Sequence, residues 1–121
     1  MTWTTQPRSK FGQLNAIVSG TGKQLVLIHG VGLRAEAWSE QTSKLSKLHK
    51  TVAIDIPGHG ECSIPTDDFS LKDYAELISA AITTPSIIIG HSFGAMIALE
   101  LAFNHPKKVK SVVALNAIFK R

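Results

Sequence analysis

The chain has 121 residues, of which 44% are hydrophobic, and carries a formal net charge of +4 at pH 7. A chain of this length is long enough to form one compact domain, and domains of this size can bury about two-thirds of their unfolded surface. Its single cysteine, Cys62, excludes a disulfide framework and a cysteine-rich metal site, and it favours a reducing, cytoplasmic location.

The distribution of charged and apolar residues excludes several classes of partner. Basic residues are dispersed, apart from a cluster at positions 107, 108 and 110, and no nucleic-acid-binding motif is present. No apolar run approaches the ~20 residues of a membrane span, and residues 1–12 lack the apolar core of a signal peptide. We therefore expect no nucleic-acid or membrane partner. No sequence pattern indicates a cofactor or a bound metal.

The first half of the sequence predicts four strands and one helix. Two strands are expected near residues 3–6 and 13–18, followed by a turn at residues 20–23. The apolar runs at residues 25–28 and 51–54 predict two buried strands. Between them, a sparse apolar stripe predicts a helix over residues 35–48.

The second half predicts two helices and two strands. Ser70 and Asp73 have the spacing of a capping box at the start of a helix that Pro85 ends. A strand at residues 86–89, an apolar helix at 93–104 that is buried on most sides, and a last strand at 111–115 follow. This alternation predicts an α/β fold, with a mostly parallel sheet covered by helices on both faces. Ligands of such sheets bind beyond the carboxyl ends of the strands.

The most informative motif is Gly-x-Ser-x-Gly, formed by Gly90, Ser92 and Gly94 between the strand at 86–89 and the helix at 93–104. With no spare residue at this junction, Ser92 must occupy a tight, strained turn, and small residues are needed two positions before and after it. The turn holds the hydroxyl above the sheet edge and directs the first helical N–H groups toward the group it attacks. The pattern therefore predicts a nucleophile elbow.

Two further motifs directly follow predicted strands. Residues 29–32 have the sequence His-Gly-Val-Gly, and residues 55–60 have the sequence Asp-Ile-Pro-Gly-His-Gly. With these motifs in this order, the chain resembles the α/β-hydrolase family from about residue 11 to its C-terminus. The His-Gly-Val-Gly-Leu sequence and Trp38 are similar to those of small carboxylesterases related to the pimeloyl-acyl-carrier-protein methyl esterase and to enol-lactone hydrolases.

The resemblance implies a role for each motif residue. Ser92 would be the catalytic nucleophile that forms an acyl-enzyme intermediate, which water then hydrolyses. The N–H groups of Val31 and Phe93 would form the oxyanion hole, where each donor is typically worth ~10²–10³ in turnover. Asp55 and His59 would be structural. Support of the loop and the elbow would come from His29, Gly30, Gly32, Gly90, His91 and Gly94.

The base that would activate Ser92 is absent from the sequence that follows it. In this family the acid and the histidine come after the serine, where this chain has only Glu100 and His105. His105 ends the helix, about 18 Å from the elbow at ~1.5 Å per residue, and Glu100 points away from the N-terminus of that helix. We therefore interpret residues 1–121 as a partial α/β-hydrolase domain that lacks the cap and the C-terminal strands and helices.

Three interpretations of function remain open. The first is the N-terminal half of a serine carboxylesterase that acts on a small-molecule ester or an acyl thioester carrier. The second is a non-catalytic α/β-hydrolase remnant that binds a partner or ligand, and the third is a half-enzyme completed by a second polypeptide. Haloalkane dehalogenases have aspartate where this chain has Ser92, which argues against that branch. In a polypeptide of these 121 residues alone, the strand at 111–115 would expose a sheet edge that favours self-association.

Overall fold

A computed structural model describes residues 4–117. Its six strands are Ser9–Phe11 (β1), Leu14–Ser19 (β2), Gln24–Ile28 (β3), Lys50–Ile54 (β4), Ser86–His91 (β5) and Val109–Leu115 (β6). A 3₁₀ turn at Ala35–Trp38 leads into helix α1 at Ser39–Leu45, and the longer helices are α2 at Leu71–Ala81 and α3 at Phe93–Asn104.

The strands form one sheet in the order β1-β2-β4-β3-β5-β6. Strands β3, β4, β5 and β6 are parallel to one another, whereas β2 is antiparallel to both of its neighbours. Segments that contain α1, α2 and α3 connect the parallel strands, because a parallel strand must be reached by a crossover. The predicted α/β fold with a mostly parallel sheet is confirmed.

The sheet is packed on both faces because successive side chains of a strand point to opposite sides. Val26 and Ile28 of β3 pack in one core with residues of α2 and α3. Leu25 and Leu27 pack in a second core with Ala35 and Trp38 of the 3₁₀ turn. The prediction of helices on both faces is therefore confirmed as well.

The first predicted strand, at residues 3–6, is wrong for the residues that the structure describes. Residues 4–8 form no strand, and the first strand is β1 at Ser9–Phe11; Trp3 lies outside the described residues. The backbone N–H of Gln6 donates to Glu36 (2.8 Å), and the Gln6 carbonyl accepts from Arg8 (2.7 Å). This segment is thus bound to side chains instead of to a neighbouring strand.

The helix predicted over residues 35–48 is shorter and divided in two. Ser39 Oγ donates to the carbonyl oxygen of Glu36 (2.7 Å) at the junction of the 3₁₀ turn and α1. Such side-chain bonds to the backbone compete with continuous helix. At the other end Leu48 is exposed, so no apolar burial favours another helical turn. The capping box of α2 is confirmed: Asp73 N–H donates to Ser70 Oγ (3.2 Å), and Ser70 N–H donates to Asp73 (2.8 Å).

Within residues 4–117, β6 is the edge strand on the side of the sheet opposite β1. Val113 and Leu115 are 43% and 42% exposed, so apolar side chains face solvent along this edge. On α3, five residues are buried but Phe103 is largely exposed, which makes this helix less enclosed than the sequence predicts. No helix in the described part of the chain has the length and apolar character needed to cross a membrane.

Candidate active site

Ser92 occupies a strained turn where β5 passes directly into α3. Its φ is +57°, in the region that residues other than glycine rarely adopt. A Cβ atom on Gly90 would overlap the carbonyl oxygen of Gly94, and one on Gly94 would overlap that of Ile28. Strand and helix therefore approach so closely at this turn that only glycine fits at both positions.

The N-terminus of α3 begins at this turn. Ala95 and Met96 donate their N–H groups to the Ser92 carbonyl (3.0 and 3.3 Å), which leaves the N–H groups of Phe93 and Gly94 ahead of the first helical hydrogen bonds. The ring of Phe93 packs edge-on against Tyr74 (5.3 Å between centroids) and so anchors this end of the helix. The positive end of the helix dipole thus lies next to the Ser92 hydroxyl.

The loop after β3 lies against the elbow. Leu33 N–H donates to the Gly30 carbonyl (3.2 Å), and Gly32 has a φ of +80°, so residues 30–33 form a turn that requires glycine at its third position. A Cβ atom on Gly30 would lie 3.4 Å from the Ser92 Cβ. Val31 is 66% exposed at the corner of this turn.

His29 connects this loop to the end of β4. Its Nδ1 lies 2.7 Å from the Gly30 carbonyl, and its Nε2 accepts from the N–H of Ile56 (3.0 Å). Because Nε2 is an acceptor, the neutral ring carries its proton on Nδ1 and donates it to Gly30. Burial lowers the pKa of His29 to about 4, only partly offset by the hydrogen bond to Gly30. At neutral pH this side chain is an uncharged connection between two loops.

This low pKa predicts an acid-labile fold. The pKa of His29 is about 4 when folded and 6.5 when unfolded, so the unfolded state binds more protons between these values and stability falls as the pH drops through this window. We expect His29 to contribute about 3 kcal/mol to the loss. Urea denaturation at pH values from 7 to 4 measures the free energy of unfolding. This free energy should fall less steeply with decreasing pH in His29→Asn than in the wild type. An NMR titration that places the His29 pKa near 6.5 would contradict this.

A buried ionic network holds the segments behind these loops. Arg8 donates to Glu36 (2.6 Å from Nη1 and from Nη2) and to Asp55 (2.8 Å from Nε). Asp55 also accepts from the N–H groups of Ala35 (2.8 Å) and Glu61 (2.9 Å). Asp55 thus joins the end of β4 to the segments on either side of it. Sequence reasoning assigned Asp55 a structural role but missed Arg8 and Glu36, since no local pattern signals a buried charge.

The carboxyl of Glu36 is held in its charged form despite burial. Burial acts to raise its pKa, but hydrogen bonds from the Arg8 guanidinium, the Gln6 N–H and Arg34 outweigh this and lower the pKa to about 2. The carboxylates of Glu36 and Asp55 raise the pKa of Arg8 against the opposing effect of burial. Arg8 and Glu36 are therefore both charged at neutral pH.

His91 is the last residue of β5 and directly precedes Ser92. Its Nε2 is 3.3 Å from the side-chain amide nitrogen of Asn116, and together with His29 it lines a cavity of about 270 Å³. A Cβ atom on Gly30 would lie 3.6 Å from the His91 Nδ1. Ser92 N–H donates to the Leu115 carbonyl (2.8 Å), which ties the elbow to the end of β6.

Each histidine in residues 4–117 has a hydrogen-bond partner other than Ser92. His49 and His59 lie 3.3 Å from backbone carbonyls, and His105 lies 3.1 Å from Glu76. Glu100, the one acidic residue after Ser92, bonds to Asn104 on the next turn of α3. The described residues thus bring the elbow and the His-Gly loop together, but none of these histidines is paired with the Ser92 hydroxyl.

Comparison with known sequences decides the family. A sequence profile described as the alpha/beta hydrolase family matches residues 25–120. The chain belongs to the α/β hydrolase family. The matched residues include all three motifs on which the resemblance to this family was based, and the match confirms the resemblance.

Relatives of this chain include proteins named as hydrolases and esterases. It is 38% identical over 106 residues to an (E)-2-((N-methylformamido)methylene)succinate hydrolase of Acinetobacter baylyi, with 84% of this chain and 40% of the relative covered. It is 38% identical over 97 residues to a pimeloyl-[acyl-carrier protein] methyl ester esterase of Methylococcus capsulatus, with 80% and 38% covered. The chain thus spans two-fifths or less of these relatives.

A solved structure shows the same fold. A marine microorganism esterase superposes with a TM-score of 0.80 at 28% identity, over 84% of this chain and 40% of that one. The aligned fraction of the esterase again corresponds to less than half of its length.

Proposed function

We propose that this chain carries the nucleophile and oxyanion hole of a serine carboxylic-ester hydrolase. Residues 1–121 would form part of a larger α/β-hydrolase domain. Its substrate class would be a small-molecule ester or an acyl thioester carrier. The observation that carries the proposal is the strained backbone of Ser92, with a φ of +57° at the N-terminus of α3 and beside Gly30.

The backbone strain at Ser92 supports its assignment as the nucleophile because a strained conformation costs free energy. A residue other than glycine in a sparsely populated region costs about 1–3 kcal/mol and persists where the surroundings impose it. At Ser92 the close approach of Gly90 and Gly94 imposes it. A turn whose only task was to connect β5 to α3 would not need serine in this conformation.

The proposed chemistry is acyl transfer in two steps. Ser92 Oγ attacks the ester carbonyl and loses its proton to a base, and the alcohol leaves with a proton. Water then attacks the acyl-enzyme and releases the acid together with the serine hydroxyl. The N–H groups of Phe93 and Val31 would stabilise the oxyanion of each tetrahedral intermediate. Since the described histidines bond elsewhere, the base would come from additional sequence or from a second polypeptide.

The test joins this chain to the C-terminal half of an esterase relative. We expect the joined protein to hydrolyse p-nitrophenyl acetate and to lose this activity on Ser92→Ala. Ser63→Ala, at an exposed loop serine, is the matched control and should retain full activity. Turnover that survives Ser92→Ala in the folded fusion would contradict the assignment of the nucleophile.

A non-catalytic binding protein is the second candidate. It is favoured by the histidines, each of which is bonded away from Ser92 in the described residues. A folded, monodisperse protein that a fluorophosphonate does not label, alone or in the fusion, would support this candidate over the hydrolase.

We also propose self-association through β6. Among residues 4–117 no strand pairs with the outer side of β6, so in a polypeptide of these 121 residues this edge presents backbone groups and the half-exposed side chains of Val113 and Leu115. Sedimentation at tens of micromolar should detect dimers or larger species, which Val113→Lys shifts toward monomer by placing a charge on the edge. Phe103→Lys, an exposed apolar site on α3, is the control and should leave association unchanged. A stable wild-type monomer would contradict the proposal.

A further inference from the structure

The corner of the loop after β3 is exposed to solvent. Val31 is 66% exposed, and a Cβ atom on Gly32 would meet no atom of the described residues within 4 Å. Inside the turn, the Leu33 N–H donates to the Gly30 carbonyl (3.2 Å). The position of the Val31 N–H, the proposed oxyanion donor, therefore depends on the contacts that fix the two ends of this loop.

The second end of the loop is fixed by side chains from other segments. His29 holds the first end through its bonds to Gly30 and Ile56. At the second end the Ala35 N–H donates to Asp55 Oδ1 (2.8 Å), and the next residue, Glu36, is fully buried. Two buried carboxylates thus hold the start of the 3₁₀ turn.

Arg8 bonds to both of these carboxylates through one planar group. Its Nε donates to Asp55 (2.8 Å), and its Nη1 and Nη2 both donate to Glu36 (2.6 Å each). Nη1 also donates to the Gln6 carbonyl (2.7 Å), and Nη2 lies 3.2 Å from Asp55. The donors of a guanidinium have a fixed geometry. Arg8 therefore sets the position of Glu36 relative to Asp55.

Loss of this guanidinium would move the end of the loop. Buried carboxylates that lose their cationic partner regain stabilisation chiefly by moving toward water. Asp55 accepts from the Ala35 N–H, and Glu36 belongs to the same 3₁₀ turn, so a shift of either carboxylate displaces this turn. A misplacement of about 1 Å in a catalytic site costs about 10²-fold in rate.

We propose that Arg8 is a positioning residue of the hydrolase: it holds the loop that presents the Val31 N–H to the oxyanion, although it contacts no reacting atom itself. The proposal rests on the hydrolase function proposed above. It gives the segment before β1 a role in turnover in addition to its role in stability.

The test measures turnover for each folded site in the fusion with the C-terminal half of an esterase relative. Active sites are counted by complete labelling with a fluorophosphonate, and kcat and KM are measured with p-nitrophenyl acetate. Both steps of acyl transfer pass through an oxyanion, so a displaced donor lowers both rates and leaves KM nearly unchanged. We expect Arg8→Met to lower kcat per site by about tenfold or more, with KM changed by less than about twofold. A merely structural role would reduce the number of labelled sites at unchanged kcat per site, which would overturn the proposal.

Two further substitutions separate geometry from charge. Arg8→Lys keeps the charge but lacks the planar group that donates to both carboxylates, so kcat per site should fall in this variant as well. It also serves as the test if Arg8→Met does not fold. Lys10→Met removes the same charge from an exposed position on β1 and should keep the kcat of the unmodified fusion. Full kcat per site in Arg8→Lys, or an equal loss in Lys10→Met, would overturn the proposal.

A second measurement follows the loop without turnover. In the fusion labelled with ¹⁵N-valine, the Val31 amide signal is identified by its absence in Val31→Ala. It should shift in Arg8→Lys and stay in place in Lys10→Met. Ser92-dependent turnover with unchanged kcat and an unmoved Val31 signal in the Arg8 variants would contradict the positioning role alone. Absence of Ser92-dependent turnover in the unmodified fusion would instead contradict the hydrolase function, and the Val31 signal would still report whether Arg8 holds the loop.

Discussion

A polypeptide of these 121 residues alone should hydrolyse p-nitrophenyl acetate only at a trace rate that Ser92→Ala leaves unchanged within error. The reason is that a serine hydroxyl is a weak nucleophile without a base to take its proton. The histidines of residues 4–117 are bonded to other groups, and His29 is held neutral between two loops. An oxyanion hole and substrate binding alone leave a residual ~10³–10⁴-fold effect over water, which is small beside a working esterase.

The measurement compares the isolated chain with its fusion to the C-terminal half of an esterase relative. The fusion should gain turnover that depends on Ser92, whereas the isolated chain should not. Tight covalent labelling of the isolated chain by a fluorophosphonate, together with robust Ser92-dependent turnover, would contradict this expectation. It would mean that one of the histidines near the elbow serves as the base.

Predictions that depended on short-range sequence agree closely with the structure. The capping box of Ser70 and Asp73 involves residues three positions apart, and Ser92 is the single residue between β5 and α3. The periodicity of the apolar runs gave the parallel sheet with helices on both faces. These features follow from backbone geometry and local hydrogen bonds, which neighbouring residues determine.

Features that depend on distant residues were not predictable from local patterns. Arg8 bonds to Glu36 and Asp55 across separations of 28 and 47 residues. The backbone N–H of Gln6, in the segment where a strand was expected, also donates to Glu36. The cavity requires Leu33, Trp38 and Leu115 from three separate segments. Side chains that meet only in the folded chain leave no periodic signal in the sequence.

Replacement of Arg8 by methionine should destabilise the fold by about 3–5 kcal/mol, because removing one partner of a buried ion pair leaves an uncompensated charge. Glu36 and Asp55 are both fully buried, and Arg8, with a side chain 8% exposed, bonds to both of them. Methionine keeps most of the aliphatic length of arginine but none of its charge. The loss would be a large share of the roughly 5–15 kcal/mol that stabilises an ordinary domain.

Arg34→Met is the matched control for this experiment. Arg34 pairs with the same Glu36 carboxylate (2.9 Å), but its side chain is 34% exposed. Solvent screens such a pair, so its loss should cost about 1 kcal/mol or less. Urea denaturation of both variants at pH 7 measures the difference through the shift in midpoint at equal slope. Equal destabilisation by the two substitutions would mean that burial does not set the strength of this network. A smaller loss for Arg8→Met than for Arg34→Met would mean that the buried Arg8 contacts contribute less to stability than the exposed Arg34 pair.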